Sequence, residues 1–183
     1  MVRFSPVKIV WGARALLFSI IAKRIGFPSY IGKPCFVIGV RGIEIGQRFR
    51  CFPGLRLEVS PGALLTVGND VGFAQNVHII CSHCVTIGDG VRIAAQVAIT
   101  DTKHRFRCNG VGAFDPADDE VSSIMIGKNT FIGTGAVIEA GTILGAECVV
   151  GANSYVRGQF PDSSILAGSP ARVIGKRGFM TEL

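Results

Sequence analysis

A period of six residues governs the second half of this chain. From Ile126 an aliphatic side chain returns at Ile132, Ile138, Leu144, Val150 and Val156, and a small one sits four positions on, at Thr130, Ala136, Thr142, Cys148 and Ser154. Gly127, Gly133, Gly145 and Gly151 directly follow their aliphatics, and Glu139 takes the equivalent place after Ile138. The spacing runs earlier through Val67, Phe73 and Ile79, through Ile87, Ile93 and Ile99, and more weakly through Ile45, Cys51 and Leu57. Val71, Val77, Val91 and Val97 fill the second inward position. Each hexad reads as a short strand plus a bend, and three hexads close one triangular coil. The aliphatic points inward, the small residue tucks into the bend, and stacked coils bury a continuous apolar column that no single coil could bury. The reading is an all-β parallel β-helix of about five coils over residues 41–160.

The sets begin at 45, 67, 87, 126 and 144, so one step is 39 residues long where 18 complete a coil, which leaves 21 extra residues. They fall within an extruded loop, 101–123, and a long loop on a rigid solenoid is costly unless it is used. It opens with Asp101 and His104 and also carries Arg105, Arg107, Asp115, Asp118, Asp119 and Glu120. It is the expected place for chemistry. Residues 161–183 leave the repeat and should cap the open end, because a bare terminal coil exposes strand edges.

Residues 1–40 read as an amphipathic helix and lead-in. Pro6 suits a first turn, Gly26 and Pro28 stop the helix, and Val7, Val10, Trp11, Leu17, Phe18, Ile21 and Ile25 approximate one face. All seven charged residues before Glu44 are basic, whereas the remaining 12 of the 19 basic residues accompany all 13 acidic ones. The positive charge is thus an N-terminal property, which disfavours nucleic-acid binding by the main body. Two readings of the helix stand side by side: packing on the first coil or a neighbouring subunit, and lying on an anionic membrane surface. Its apolar stretch is short of the ~20 residues a bilayer span needs. With no convincing secretory signal and six cysteines read as reduced thiols, the expected location is cytoplasmic, with peripheral contact at the inner face of the membrane where the helix binds lipid.

Three stretches together resemble the hexapeptide-repeat acyltransferases: VTIGDGVRIAAQVAITDTKH, IMIGKNTFIGTGAVIEAGTILGAECVVGANSYV and FPDSSILAGSPARVIG. The branch they are most similar to contains the sugar, O-antigen and colanic acid O-acetyltransferases. The resemblance covers roughly residues 40–175. It implies left-handed winding, a homotrimer with an active site between adjacent prisms, acetyl-CoA as donor with no metal, and a sugar or glycan acceptor. It implies that His104 is the general base. It also implies that backbone groups near Thr134, Ala152 and Arg157 meet the pantetheine arm, that Gly133, Gly135 and Asn153 belong to the same CoA site, and that Arg172 lies near the CoA phosphates. Many relatives carry tryptophan where this chain has Phe131, which removes an indole donor and keeps the apolar surface.

The chemistry is consistent with those residues. A sugar hydroxyl needs a base as it attacks a thioester, and imidazole, with an unperturbed pKa of ~6.5, suits that task. Asp101, Asp118 and Glu120 are candidates to hold its tautomer, and Asp101 has the alternative of capping a turn. The tetrahedral oxyanion calls for preformed donors such as a backbone N–H. Arg172, Lys176 and Arg177 suit the diphosphate and 3′-phosphate of CoA. The expected reaction is direct O-acetyl transfer to a surface-polysaccharide or lipid-linked glycan precursor. Alternatives are transfer to an amino-sugar, serine or antibiotic, and a non-enzymatic scaffold. A further rival is a zinc hydratase like the gamma-class carbonic anhydrases, suggested by the five-residue spacing of His78 and His83 beside Cys81 and Cys84. Zinc needs three or four convergent ligands, and the third histidine would have to be His104.

Overall fold

The computed structural model describes residues 6–103 and 119–178, and its body is a left-handed parallel β-helix with three flat faces. Six complete coils run from Arg24 to Val156, and a partial seventh follows. The first face holds seven strands, from Arg24–Ile25 to Gln159–Phe160; the second holds eight, from Tyr30–Ile31 to Ala171–Lys176; the third holds six, from Phe36–Ile38 to Tyr155–Val156. Each hexad aliphatic stacks in register on its counterpart one coil away, as in the ladder Ile45, Val67, Ile87, Ile126 and Leu144. Val71, Ile79, Ile99, Ile132 and Ile138 in this column are essentially inaccessible to solvent.

The column has one coil more than the five expected. Its first coil comprises Arg24–Ile25, Tyr30–Ile31 and Phe36–Ile38, within the stretch read from sequence as lead-in. Ile25, Ile31 and Val37 stack on Ile45, Cys51 and Leu57. The long 22- and 20-residue steps also gain a cause. Third-face strands Arg56–Val59 and His78–Cys81 are extended to four residues, and Val59 and Cys81 add a further buried position before the corner.

Buried polar side chains at the bends are satisfied by neighbouring backbone. Thr142 Oγ1 donates to Glu139 O at 2.6 Å, Ser164 Oγ donates to Pro161 O at 2.7 Å, and Thr130 Oγ1 donates to Gly145 O at 3.2 Å. Gly133 is required by the close stacking of coils: a Cβ there would lie 2.7 Å from the backbone nitrogen of Ala152.

Helix α1 (Pro6–Ile21) closes the N-terminal end. The packed face is Trp11, Ala15, Phe18 and the following Ala22, whereas Val7, Val10, Leu17 and Ile21, read from sequence as part of one face with Trp11 and Phe18, are exposed. The helix is apolar nearly all round, so periodicity alone cannot choose its face. Specific contacts choose it: Trp11 stacks near Tyr30 and Phe52, and Arg14 Nη1 donates to Ile31 O at 2.9 Å. At the opposite end Ala171–Lys176 pairs antiparallel with Ser164–Gly168 and covers the last strand of the second face.

Candidate active site

The extruded loop leaves the prism at the corner between the third and first faces, after Ala98–Thr100, and returns at Ile124–Ile126. Its root is a short antiparallel ribbon pairing Thr102–Lys103 with Glu120–Val121. Asp101 anchors that root and is fully buried. Its Oδ1 accepts the backbone N–H of Ser82 at 2.7 Å, and its Oδ2 accepts those of His83 at 2.8 Å and Cys84 at 3.0 Å. Thr102 Oγ1 donates to Ser82 Oγ at 2.8 Å, and Ser122 N donates to Asp101 O at 2.9 Å. Both carboxylate oxygens of Asp101 are therefore engaged in tying the loop to the corner one coil below. His104 lies three positions further on, outside the described residues, as do Arg105, Arg107, Asp115 and Asp118.

Beneath the ribbon is an open cleft lined by Lys103, Glu120, Ser122, Gly141, Arg157 and Gly158. A polar cluster backs it. Glu139 is buried, and its Oε2 has no hydrogen-bond partner among the described residues, although Arg157 Nε approaches to 3.4 Å. The Arg157–Glu139 pair is thus a charge contact rather than a hydrogen bond. Burial, reinforced by the hydrogen bond to Glu139 and its charge, pushes the Tyr155 phenol up to about 12. Glu139 and Tyr155 were not singled out from sequence. The available signal was an acid in the place that glycine holds after Ile126, Ile132, Leu144 and Val150.

The remaining candidates fall on different edges. Gly133, Thr134 and Gly135 form the corner between the second and third faces of one coil, and Ala152 and Asn153 form the same corner of the next. They are in direct contact: Asn153 N donates to Thr134 O at 2.8 Å. The main chain of Gly135 is left-handed, with φ of 70°. Arg172 pairs with Ala167 beside this corner, where Gly168 N donates to Ser154 Oγ at 3.2 Å. Arg157 instead follows the third-face strand Tyr155–Val156 and sits with the loop root on the next edge. Lys176 pairs with Ser164, at the far end of the second face. Thr134, Ala152, Asn153, Arg157, Arg172 and Lys176 are all exposed. One prism thus assembles Gly133, Thr134, Gly135, Ala152, Asn153 and Arg172 along one edge. The loop root and Arg157 lie across a whole face, and Lys176 lies apart from both.

The four residues behind the zinc reading diverge. His78 Nε2 lies 3.3 Å from Glu58 Oε1 on the third face, Cys81 is buried inside the prism, Cys84 is half-buried, and His83 is exposed at the corner. Among the described residues no group of three or more His, Cys, Asp or Glu side chains is placed to hold a metal.

Comparison with known proteins adds to this geometry. Residues 123–157 match the family described as hexapeptide repeat of succinyl-transferase. An Escherichia coli (strain K12) protein, WbbJ, assigned by inference as a lipopolysaccharide biosynthesis O-acetyl transferase, is 33% identical over 163 residues, spanning 82% of this chain and 80% of its own length. Galactoside O-acetyltransferase of the same organism is 35% identical over 119 residues, 63% of this chain and 55% of the relative. Among solved structures, AntD, an N-acyltransferase from Bacillus cereus in complex with dTDP and 3-hydroxybutyryl-CoA, superimposes with a TM-score of 0.78 at 20% identity, over 90% of this chain and 88% of that one. A galactoside acetyltransferase in complex with coenzyme A superimposes with a TM-score of 0.62 at 24% identity, over 95% of this chain and 74% of that one.

Proposed function

The chain belongs to the hexapeptide-repeat acyltransferases, and from that premise we propose that it moves an acetyl group from acetyl-CoA to a hydroxyl of a sugar in a surface-polysaccharide or lipid-linked glycan precursor. The observation that carries the reading is the loop root. A buried carboxylate with three backbone donors holds Asp101 and the root of the segment that leads toward His104, beside a cleft that opens to solvent. In this mechanism His104 takes the proton of the acceptor hydroxyl. The oxygen attacks the thioester carbon, and the tetrahedral intermediate collapses with loss of the CoA thiolate, which is reprotonated. No acyl-enzyme forms. Asp101 acts as a positioning residue through the backbone, and the Thr134 and Ala152 corners with Arg172 hold the pantetheine arm and phosphates.

The separation of these groups across the third face supports a homotrimer. A neighbouring prism that lays its Thr134–Ala152 edge against the loop-root edge would bring the donor edge and the root of the His104 segment into one groove, whereas within one chain the third face separates these two edges. An oligomer with the site between chains follows the common closed symmetries.

The test is acetyl-CoA-dependent thiol release against a panel of sugars, amino-sugars and glycolipids, with wild type and His104→Ala. A general base contributes on the order of 10²–10⁴ in rate, so kcat should fall by that factor while CoA binding persists. Activity within about tenfold of wild type would remove His104 as base. A preference for amino-sugars over every hydroxyl acceptor would replace O-transfer with N-transfer.

A further inference from the structure

The outward side of α1 is the largest apolar feature left without a partner among the described residues. At 3.6 residues per turn, Leu16, Ile9, Ile20, Leu17, Val10 and Ile21 succeed one another around an arc of about 140°, interrupted only by Pro6 and Ala13. Ile9, Leu16, Leu17 and Ile20 are 63%, 65%, 66% and 75% exposed, and Phe27, just beyond the helix, is 81% exposed. The helix is 16 residues long, and no helix among the described residues is long and apolar enough to cross a membrane.

Charge selects the occupant. Every charged residue from 6 to 43 is basic: Arg14 borders the apolar arc beside Ile21, Lys8 lies beyond Gly12 and Ser19 on the other side, and Lys23 and Arg24 follow its end. Lys8 lies over the Tyr30 ring, Arg14 is bonded to Ile31 O, and Lys23 pairs with Glu44 at 2.5 Å, so these cations stand where the helix meets the first coils, with Arg24 exposed beside them. A second copy docking face to face would set these cations against one another. A bilayer with anionic headgroups meets both demands: it takes apolar side chains to a shallow depth and attracts the basic groups. A free interfacial helix needs its own polar face. Here the prism occupies that side, with Trp11, Ala15 and Phe18 packed on the first coil.

We infer that α1 is a monotopic anchor that seats the N-terminal end of the prism on an anionic membrane surface. The inference is independent of the acetyl-transfer reading and is tested without any acceptor. Full-length protein is co-sedimented with phosphatidylcholine vesicles with and without phosphatidylglycerol, at low and high salt, alongside Ile20→Glu and Leu17→Glu. Both side chains are exposed, and circular dichroism and sizing confirm the fold and oligomer of each variant. Wild type is expected to bind the anionic vesicles, to bind neutral ones more weakly, and to lose affinity in about 0.5 M salt. Each variant is expected to bind at least about tenfold more weakly, the combined loss of apolar contact and of charge balance. Absence of binding to anionic vesicles, or binding unchanged in both variants, overturns the inference. So does a variant that dissociates the oligomer while leaving vesicle binding intact, which would make the patch an interface between chains.

Discussion

Replacing Asp101 is the sharpest test of how the loop is held. Its carboxylate accepts N–H groups from three consecutive residues, Ser82, His83 and Cys84, at 2.7, 2.8 and 3.0 Å. Hydrogen bonds to a charged group contribute about 1.5–3 kcal/mol each, so simple addition for Asp101→Ala gives roughly 5–9 kcal/mol. That sum is too large, because His83 is exposed and water can reach part of the corner once the side chain is gone. A loss of about 3 kcal/mol is the reasoned value. Asp101→Asn keeps one oxygen for the His83 and Cys84 donors but turns an NH2 toward Ser82 N–H, donor against donor, and should cost about 2 kcal/mol. Urea unfolding at fixed protein concentration measures the loss, and amide hydrogen exchange at residues 82–84 localises it. Because the carboxylate acts through the backbone, kcat for acetyl transfer should fall in both variants with the KM for acetyl-CoA unchanged. Asp101→Ala within about 1 kcal/mol of wild type, with exchange at 82–84 unaltered, would refute the account.

Other consequences follow from the core and the cleft. Burial pushes the Cys51 thiol up to about 12, and burial together with the charge of Asp101 does the same for Cys81. Below the unfolded value of 9.0 the thiols are protonated in both states and stability is complete; as pH rises from there toward 12 the unfolded chain ionises first and stability falls. The slope is at most about 1.4 kcal/mol per pH unit per thiol, and urea midpoints that stay flat through this window would contradict it. Glu139→Gln removes the charge beside Tyr155 and should lower its phenol from about 12, leaving the burial contribution; ultraviolet titration of the two tyrosines reads the change. Ile138→Ala empties a fully buried position between Ile99 and Val156 and should cost about 2–5 kcal/mol in the same unfolding assay.

Most of the column was legible because inward positions recur at a spacing that no helix or flat sheet shares. The first coil was legible in principle: Ile25, Ile31 and Val37 are six apart, and Gly26 and Gly32 follow the first two as glycines do elsewhere. A competing pattern masks it, because Ile25 also extends the helical pattern of α1, and Pro28 and Pro34 break up the segment. The packed face of α1 was not legible, since apolar residues surround the helix and the choice is made by Tyr30, Ile31 and Phe52. For the site, the loop root announced itself where the repeat stopped after Ile99, but the partners of Asp101 are backbone groups 17 to 19 residues earlier, which side-chain identity does not encode. Edge assignment is a matter of a second, longer period. The six-residue repeat says which side chains point inward; the 18-residue repeat says which edge a residue occupies. Thr134 and Ala152 are 18 apart and share a corner, whereas Arg157 falls five further along, past the third face, on the edge that carries the loop. A resemblance that gathers all of them into one site therefore demands two edges in one place. Within one prism a whole face separates those edges, and the homotrimer proposed above, with prisms side by side, would bring them together.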